Sequence, residues 1–228
     1  MHARDIMTSP VITARTDTAV LDVVQLMLDN AVSALPVVDD KDVLLGLVSE
    51  GDLIRRSELG ARDYSSWWLA AIGGKVRLAE EFVKTHAMRA DDIMTRDLVT
   101  VNEDTLVWQI AETLEKHKIK RVPVVRDGKV VGIVSRANLL QALAAQRDQA
   151  TRAPSQDDRD LRDKLLNSLS QEPWSDLPHL NVVVQEGVVH YWGRVHSEEA
   201  RQALQVAARA VPGVVDVVDH THKTVTLF

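Results

Sequence analysis

Two short stretches place a hydroxyl and a polar acceptor at the expected start of a helix. Ser49-Glu50-Gly51-Asp52 follows the apolar run Gly46-Leu47-Val48, and Ser135-Arg136-Ala137-Asn138 follows Gly132-Ile133-Val134. A serine hydroxyl beside the first amides of a helix suits a phosphate, because those N–H groups have no partner within the helix. An aspartate three residues on can accept both hydroxyls of a ribose. The first stretch has both groups, in Ser49 and Asp52. The second has Ser135 and Asn138, and an amide is the weaker acceptor for a diol.

These stretches are matching parts of an internal repeat. Asp5-Ile6-Met7-Thr8 returns as Asp92-Ile93-Met94-Thr95, and the segment from Val32 to Val38 returns as Ile119 to Val125. Gly46-Leu47-Val48-Ser49 returns as Gly132-Ile133-Val134-Ser135. The offset is 87 residues at the first two blocks (5 to 92, 32 to 119) and 86 at the third (46 to 132), so the first repeat carries one extra residue near Lys41-Asp42. A duplication this regular predicts two equal half-modules facing each other, with ligands in the clefts between them.

The elements that would position the serines follow from periodicity. In the first repeat Ile6 to Ile12 is an apolar leading segment, and Thr16-Asp17-Thr18 offers caps for a helix with Val20, Val23, Val24, Met27 and Leu28 on one face. Leu35 to Val38 and Val43 to Val48 read as short strands around a polar turn, and Ser49 opens another helix. The second repeat has the same β-α-β-β-α order, with the stripe Leu106, Val107, Ile110, Ala111 and Leu114 and a tight turn at Arg126-Asp127-Gly128-Lys129.

Composition bounds the function. The 228 residues are 45% apolar, enough for a buried core, with few aromatics and a net charge of −6. That charge argues against a nucleic-acid binder relying on phosphate neutralisation. The absence of cysteine excludes disulfides, thiolate metal sites and a cysteine nucleophile. With no export-type leader and no apolar run near the roughly 20 residues that span a bilayer, the expectation is a cytoplasmic protein.

Between the repeats, at 57–90, lies an insert with Tyr64-Ser65-Ser66-Trp67-Trp68. Two readings of Trp67 and Trp68 stand: a connector helix whose tryptophans plug a groove, or a protein-contact or dimer surface. A polar stretch with Pro154, at 148–156, reads as a hinge. Beyond it, from 157 to 228, a helix stripe of Leu161, Leu165, Leu166 and Leu169 precedes two strands, a second helix and a last strand. That small α+β domain carries 11 acids against 7 Lys and Arg, which disfavours anionic lipid surfaces.

The paired blocks, at 1–56 and 91–147, resemble CBS domains, which occur in tandem as the Bateman module. The resemblance rests on Asp-Ile-Met-Thr, the apolar-Pro-Val-Val strand and the Gly-apolar-apolar-Ser ending in each repeat. It implies a mixed α/β fold binding an adenine nucleotide or related adenosyl ligand in two clefts, each built from both repeats. Carried over by residue, one cleft pairs Thr95, Val99, Lys120, Arg121, Val122 and Pro123 with Ser49 and Asp52. The other pairs Thr8, Ile12, Ser33, Ala34, Leu35 and Pro36 with Ser135 and Asn138. The first holds the ribose carboxylate and both basic side chains, so it is the favoured site. The C-terminal part, with its Gly187-to-Gly193 strand and Val211-Pro212-Gly213-Val214 turn, looks like a BON domain of α-β-β-α-β order.

Other motifs carry less. Ala71-Ile72-Gly73-Gly74-Lys75-Val76 lacks the first glycine and the final Ser or Thr of a phosphate loop. His220 and His222 alternate along one strand face, but no third ligand is specified, and surface histidines are the simpler reading. Trp174 and Trp192 read as core or edge packing, with a hydrophobic or peptide-binding face as the alternative. The expectation is a non-enzymatic regulatory protein that needs no cofactor or metal, responds to AMP, ADP, ATP or an NAD-like ligand, and forms a homodimer. The BON-like domain would serve a protein partner, with no nucleic acid or membrane engaged. A ligand-independent scaffold and a detached subunit of an enzyme or transporter are the rival expectations.

Overall fold

The computed structural model of the chain describes residues 1–54, 88–146 and 155–223. The Trp67-Trp68 pair, the Gly73-Gly74-Lys75 stretch and most of the hinge lie outside the described residues. The first repeat contains α1 (Ala3–Ile6), β1 (Ala14–Arg15), α2 (Val20–Asp29), β2 (Ala34–Val38), β3 (Leu44–Ser49) and α3 (Glu50–Leu53). The second contains α4 (Ala90–Ile93), α5 (Val107–Lys116), β4 (Arg121–Arg126), β5 (Lys129–Ser135) and α6 (Arg136–Gln146). The C-terminal domain contains α7 (Gln156–Ser170), a 3-10 turn (Leu177–His179), β6 (Leu180–Gln185), β7 (Val188–Val195), α8 (Glu198–Arg209) and β8 (Asp216–Lys223). Among the described residues no helix is long and apolar enough to cross a membrane.

The chain divides into two compact units, Ile12–Leu98 and Met1–Val11 with Val99–Phe228. The units do not follow the repeat boundaries. Each leading segment is built into the unit that holds the other repeat's strands.

In the unit Ile12–Leu98, β1 lies parallel to β2, and β2 pairs antiparallel with β3. Val20, Val23 and Met27 of α2 are buried against the sheet with Leu35, Val37 and Val48. Leu28, expected on that face, is 69% exposed, because it sits about 100° around the helix from Met27. The Thr16-Asp17-Thr18 stretch does not cap α2. The N-cap is Ala19, and the Thr18 hydroxyl accepts the Arg15 N–H at 2.9 Å. The Val20 N–H donates to the Met88 carbonyl at 2.9 Å, so the backbone leading into α4 does the work expected of a side chain.

In the other unit β4 and β5 form a hairpin, and Val101 adds a parallel bridge at Val124. Ile110 and Leu114 of α5 pack on Val122, Val124 and Val134, with Ala3, Ile6 and Met7 of the leading segment. Ala111, expected on the α5 stripe, is exposed. In both units the methionine of the leading segment lies flat on a glycine of the strand. A Cβ on Gly132 would stand 2.7 Å from the Met7 Cγ, and one on Gly46 would stand 2.7 Å from the Met94 Cγ.

The C-terminal domain has the expected α-β-β-α-β order, with β6 antiparallel to β7 and β8 parallel to β7. Leu161, Leu165 and Leu169 of α7 and Leu204 and Ala208 of α8 form its core with Val182, Val184 and Tyr191 of the sheet. Ser155 caps α7, so the last two positions of the expected hinge belong to this domain. The Asp158 carboxylate accepts the Ser155 N–H at 2.8 Å and reaches the Gly187 N–H, also at 2.8 Å, in the turn between β6 and β7. Burial alone would raise its pKa, but the bonds from Gly187 and Ser155 prevail and hold it below the ordinary 3.8.

Gly132→Ala is expected to lose about 1–3 kcal/mol by overpacking Met7, read as a lowered urea midpoint. Because the native pKa of Asp158 is depressed, its contribution is complete above about pH 4 and disappears as pH falls through the native value. Asp158→Asn should cost about 1–3 kcal/mol near pH 7 and flatten the acid limb of stability, measured by denaturant unfolding at stepped pH.

Candidate functional site

Within the unit Ile12–Leu98, Ser49 ends β3 and is the N-cap of α3. Its N–H and hydroxyl donate to the same Asp52 oxygen, at 3.0 and 2.8 Å. The next amide, of Glu50, donates to the Ser33 carbonyl at 3.1 Å. Ala34 stands opposite Ser49 and Pro36 opposite Leu47 in the sheet. On its other side Leu47 exchanges two backbone bonds with Thr95, at 3.0 and 2.9 Å. Ser33, Ser49, Asp52 and an exposed Thr95 are thus gathered at one end of this unit, above the buried Leu35. Ile12, half-buried, belongs to the same unit.

In the unit with Met1–Val11 the second serine repeats this geometry. Ser135 ends β5 opposite Arg121, and the Arg136 N–H donates to the Lys120 carbonyl at 3.1 Å. The Asn138 oxygen accepts the Ser135 N–H and hydroxyl at 2.8 and 2.6 Å. Its amide donates to the Ile6 carbonyl and the Thr8 hydroxyl, both at 3.1 Å. Thr8 also exchanges backbone bonds with Ile133 at 3.0 and 3.1 Å. Val122 and Pro123 are buried, and the Pro123 carbonyl accepts the Val101 N–H two residues past Val99.

The two caps therefore differ in chemistry although they share a geometry. A carboxylate is charged and only accepts, with about four acceptor positions. An amide offers two acceptor positions and two donors. All four of those on Asn138 are committed, and two of them tie the leading segment to α6.

Sequence reasoning missed the residues through which the C-terminal domain engages the same leading segment. Arg159 of α7 donates from Nε to the Asp5 carboxylate at 2.8 Å and lies 2.8 Å from the His2 ring nitrogen. The hydrogen bond to Asp5 pushes the Arg159 pKa up. Arg162, only 5% exposed, donates to the Val182 carbonyl and to the Met7 carbonyl, both at 2.8 Å. Burial pulls its pKa down. Asn181 of β6 donates to the Gln141 side chain of α6 at 2.8 Å. One signal was available: Arg162 stands three residues before Leu165 and seven before Leu169, on the buried stripe of α7.

Elsewhere in the C-terminal domain, His220 stacks on Trp192 with centroids 3.8 Å apart and lies 3.4 Å from His190. His222 stands opposite Arg194. Among the described residues no three His, Asp or Glu side chains are grouped to hold a metal ion. Trp174 is 37% exposed, and its indole N–H donates to Glu172.

Comparison with known proteins places this geometry. The CBS domain model matches residues 3–58 and 90–145, and the BON domain model matches 157–222. An uncharacterised protein of Methanocaldococcus jannaschii is 32% identical over 154 residues, which is 63% of this chain and 91% of that one. The chloroplast CBS domain-containing protein CBSX2 of Arabidopsis thaliana is 31% identical over 138 residues, and the match spans 56% of each chain. The crystal structure of CBSX2 in complex with AMP superposes with a TM-score of 0.56 at 30% identity, covering 65% of this chain and 99% of that one.

Asn138→Ala would leave the Ser135 N–H and the Ile6 carbonyl without their partner and loosen the leading segment. The expected cost is about 1–3 kcal/mol, with faster amide hydrogen exchange at Thr8 and Ile133, measured by denaturant unfolding and exchange mass spectrometry.

Proposed function

The chain belongs to the CBS-domain family, with a BON domain behind the pair, and from that premise we propose that it is a non-enzymatic regulatory protein whose CBS pair binds an adenine nucleotide. The observation that carries the proposal is the difference between the two capped serines. Ser49 and Asp52 place a hydroxyl and a carboxylate at the start of α3, beside the exposed Thr95, where the second repeat has an amide in place of the acid. That set suits a phosphate and a ribose diol. Lys120 and Arg121 are the proposed phosphate partners, and Val99, Val122 and Pro123 the proposed adenine wall, on the family pattern.

The Asn138 set serves a different end. With its amide committed to Ile6 and Thr8, it holds the leading segment in place instead of a sugar. Thr8, Ile12, Ser33, Ala34, Leu35, Pro36 and Ser135 then constitute at most a weaker site. The proposed stoichiometry is one tightly held nucleotide per chain. AMP is the first ligand to try, because CBSX2 was crystallised with it. Binding acts on a partner or on self-association only through unequal affinity for two states of the protein.

A second reading has its own observation. Leu21, Leu28 and Ile54 are 76%, 69% and 63% exposed around an apolar groove of about 580 Å3 in the unit Ile12–Leu98. That face favours a self-associating scaffold whose assembly ignores nucleotide.

Calorimetric titration with AMP separates the readings. The proposal expects one site per chain, weakened about tenfold to a hundredfold by Asp52→Ala, which removes hydrogen bonds to a charged acceptor. Saturating AMP should also raise the melting temperature of the wild type. No heat of binding with AMP, ADP, ATP or NAD, combined with a dimer by light scattering, would favour the scaffold.

A further inference from the structure

A polar cavity lies where the leading segment, the β4–β5 hairpin and α7 meet. It has a volume of about 510 Å3, within the roughly 300–1,000 Å3 range of small-molecule sites. Its lining includes the side chains of Arg4, Arg126, Arg159 and Arg162, against the acids Glu103 and Asp163. The cavity belongs wholly to the unit Met1–Val11 with Val99–Phe228. None of its lining residues is a member of the proposed nucleotide site.

Three of the four arginines have an acid of their own. Arg4 pairs with Asp104, Arg126 with Glu103 at 2.8 Å and Arg159 with Asp5 at 2.8 Å. Arg162 does not. Its guanidinium is buried, its bonds go to the Val182 and Met7 carbonyls, and among the described residues no carboxylate lies within pairing distance. Of the five N–H groups on a guanidinium, two thus have acceptors here. The Arg4 Nε on the same wall is also buried without a hydrogen-bond partner. Asp163 and Asp5 act on Arg162 through space, but neither is in direct contact with it, and a buried guanidinium without a paired charge is disfavoured. An anion in the cavity would add a directly paired charge and further acceptors.

We propose that this cavity is a binding site for the phosphate or carboxylate group of a small anionic molecule, held chiefly by Arg162 with Arg4 and Arg126. Planar guanidinium groups on several walls suit an oxyanion with several acceptor oxygens. The cavity walls come from the leading segment, the second CBS repeat and the BON domain, so an anion there bridges all three. Occupancy would then fasten the BON domain to the leading segment, independently of any nucleotide at Asp52.

The test uses the full chain and inorganic pyrophosphate as the probe, by calorimetry and thermal shift, against sodium chloride at matched ionic strength. Saturable binding is expected, weakened about tenfold or more in Arg126→Gln, whose side chain is exposed beyond the cavity and can be lost without opening the core. Arg162→Met should abolish binding if it folds. Glu103→Gln should act in the opposite direction and tighten binding, because it removes a negative charge and releases Arg126. A purely structural role for these residues would not produce opposite signs. The proposal is overturned if pyrophosphate stabilises no more than chloride, or if Arg126→Gln and Glu103→Gln bind it as the wild type does. It is equally overturned if Lys120→Ala with Arg121→Ala abolishes binding, which would assign the anion to the nucleotide cleft.

Discussion

The close approach of a methionine to a glycine, made once in each unit, is the constraint on which the rest of the structure depends. Met7 lies on Gly132 and Met94 on Gly46, where a side chain on the strand would collide with the methionine stem. That contact lets the leading segment run flush along the edge of β5 or β3. Thr8 can then exchange backbone bonds with Ile133, and Thr95 with Leu47. Each serine-capped helix start therefore has a threonine beside it. Neither arrangement would survive a Cβ at the glycine without movement of the segment.

On this common frame the two serine caps differ by a single functional group. Asp52 and Asn138 each accept two bonds from the serine three residues earlier, so the backbone is capped alike. A carboxylate adds charge and further acceptor positions, whereas an amide adds two donors. The donors find the Ile6 carbonyl and the Thr8 hydroxyl. Acid in one repeat leaves a negative charge at the cap. Amide in the other gives a fastening.

That fastened segment is also what the BON domain grips. Asp5 caps α1 by accepting the His2 N–H at 2.7 Å, and its other oxygen receives Arg159. Arg162 holds the Met7 carbonyl, one residue before Thr8. Three sources of hydrogen bonds, β5, α6 and α7, therefore converge on four consecutive residues, Asp5 to Thr8. Buried polar contacts of this kind are stringent, since each group left without a partner is penalised in a low-dielectric interior. The C-terminal domain is thereby placed by polar complementarity as well as by its own apolar core.

Much of this was legible in the amino-acid order. The strand runs, the doubled blocks and the leucine stripe of α7 showed the elements and the repeat, because local periodicity and turn chemistry are written in neighbouring residues, and the motifs in those blocks carried the resemblance to CBS and BON domains. The difference between Asp52 and Asn138 was equally visible. Long-range pairing was not. Nothing near Arg162 in sequence indicates that its partner is the carbonyl of Met7, 155 residues away. The capping threonines of α2 failed for the same reason, since the Met88 carbonyl reached the Val20 amide instead. The sequence by itself determined the elements, the repeats and the functional groups available at each serine. Only the tertiary structure decided which carbonyls the buried arginine reaches and which arginines share a cavity, because backbone carbonyls are the same at every residue and only folding brings distant ones within reach.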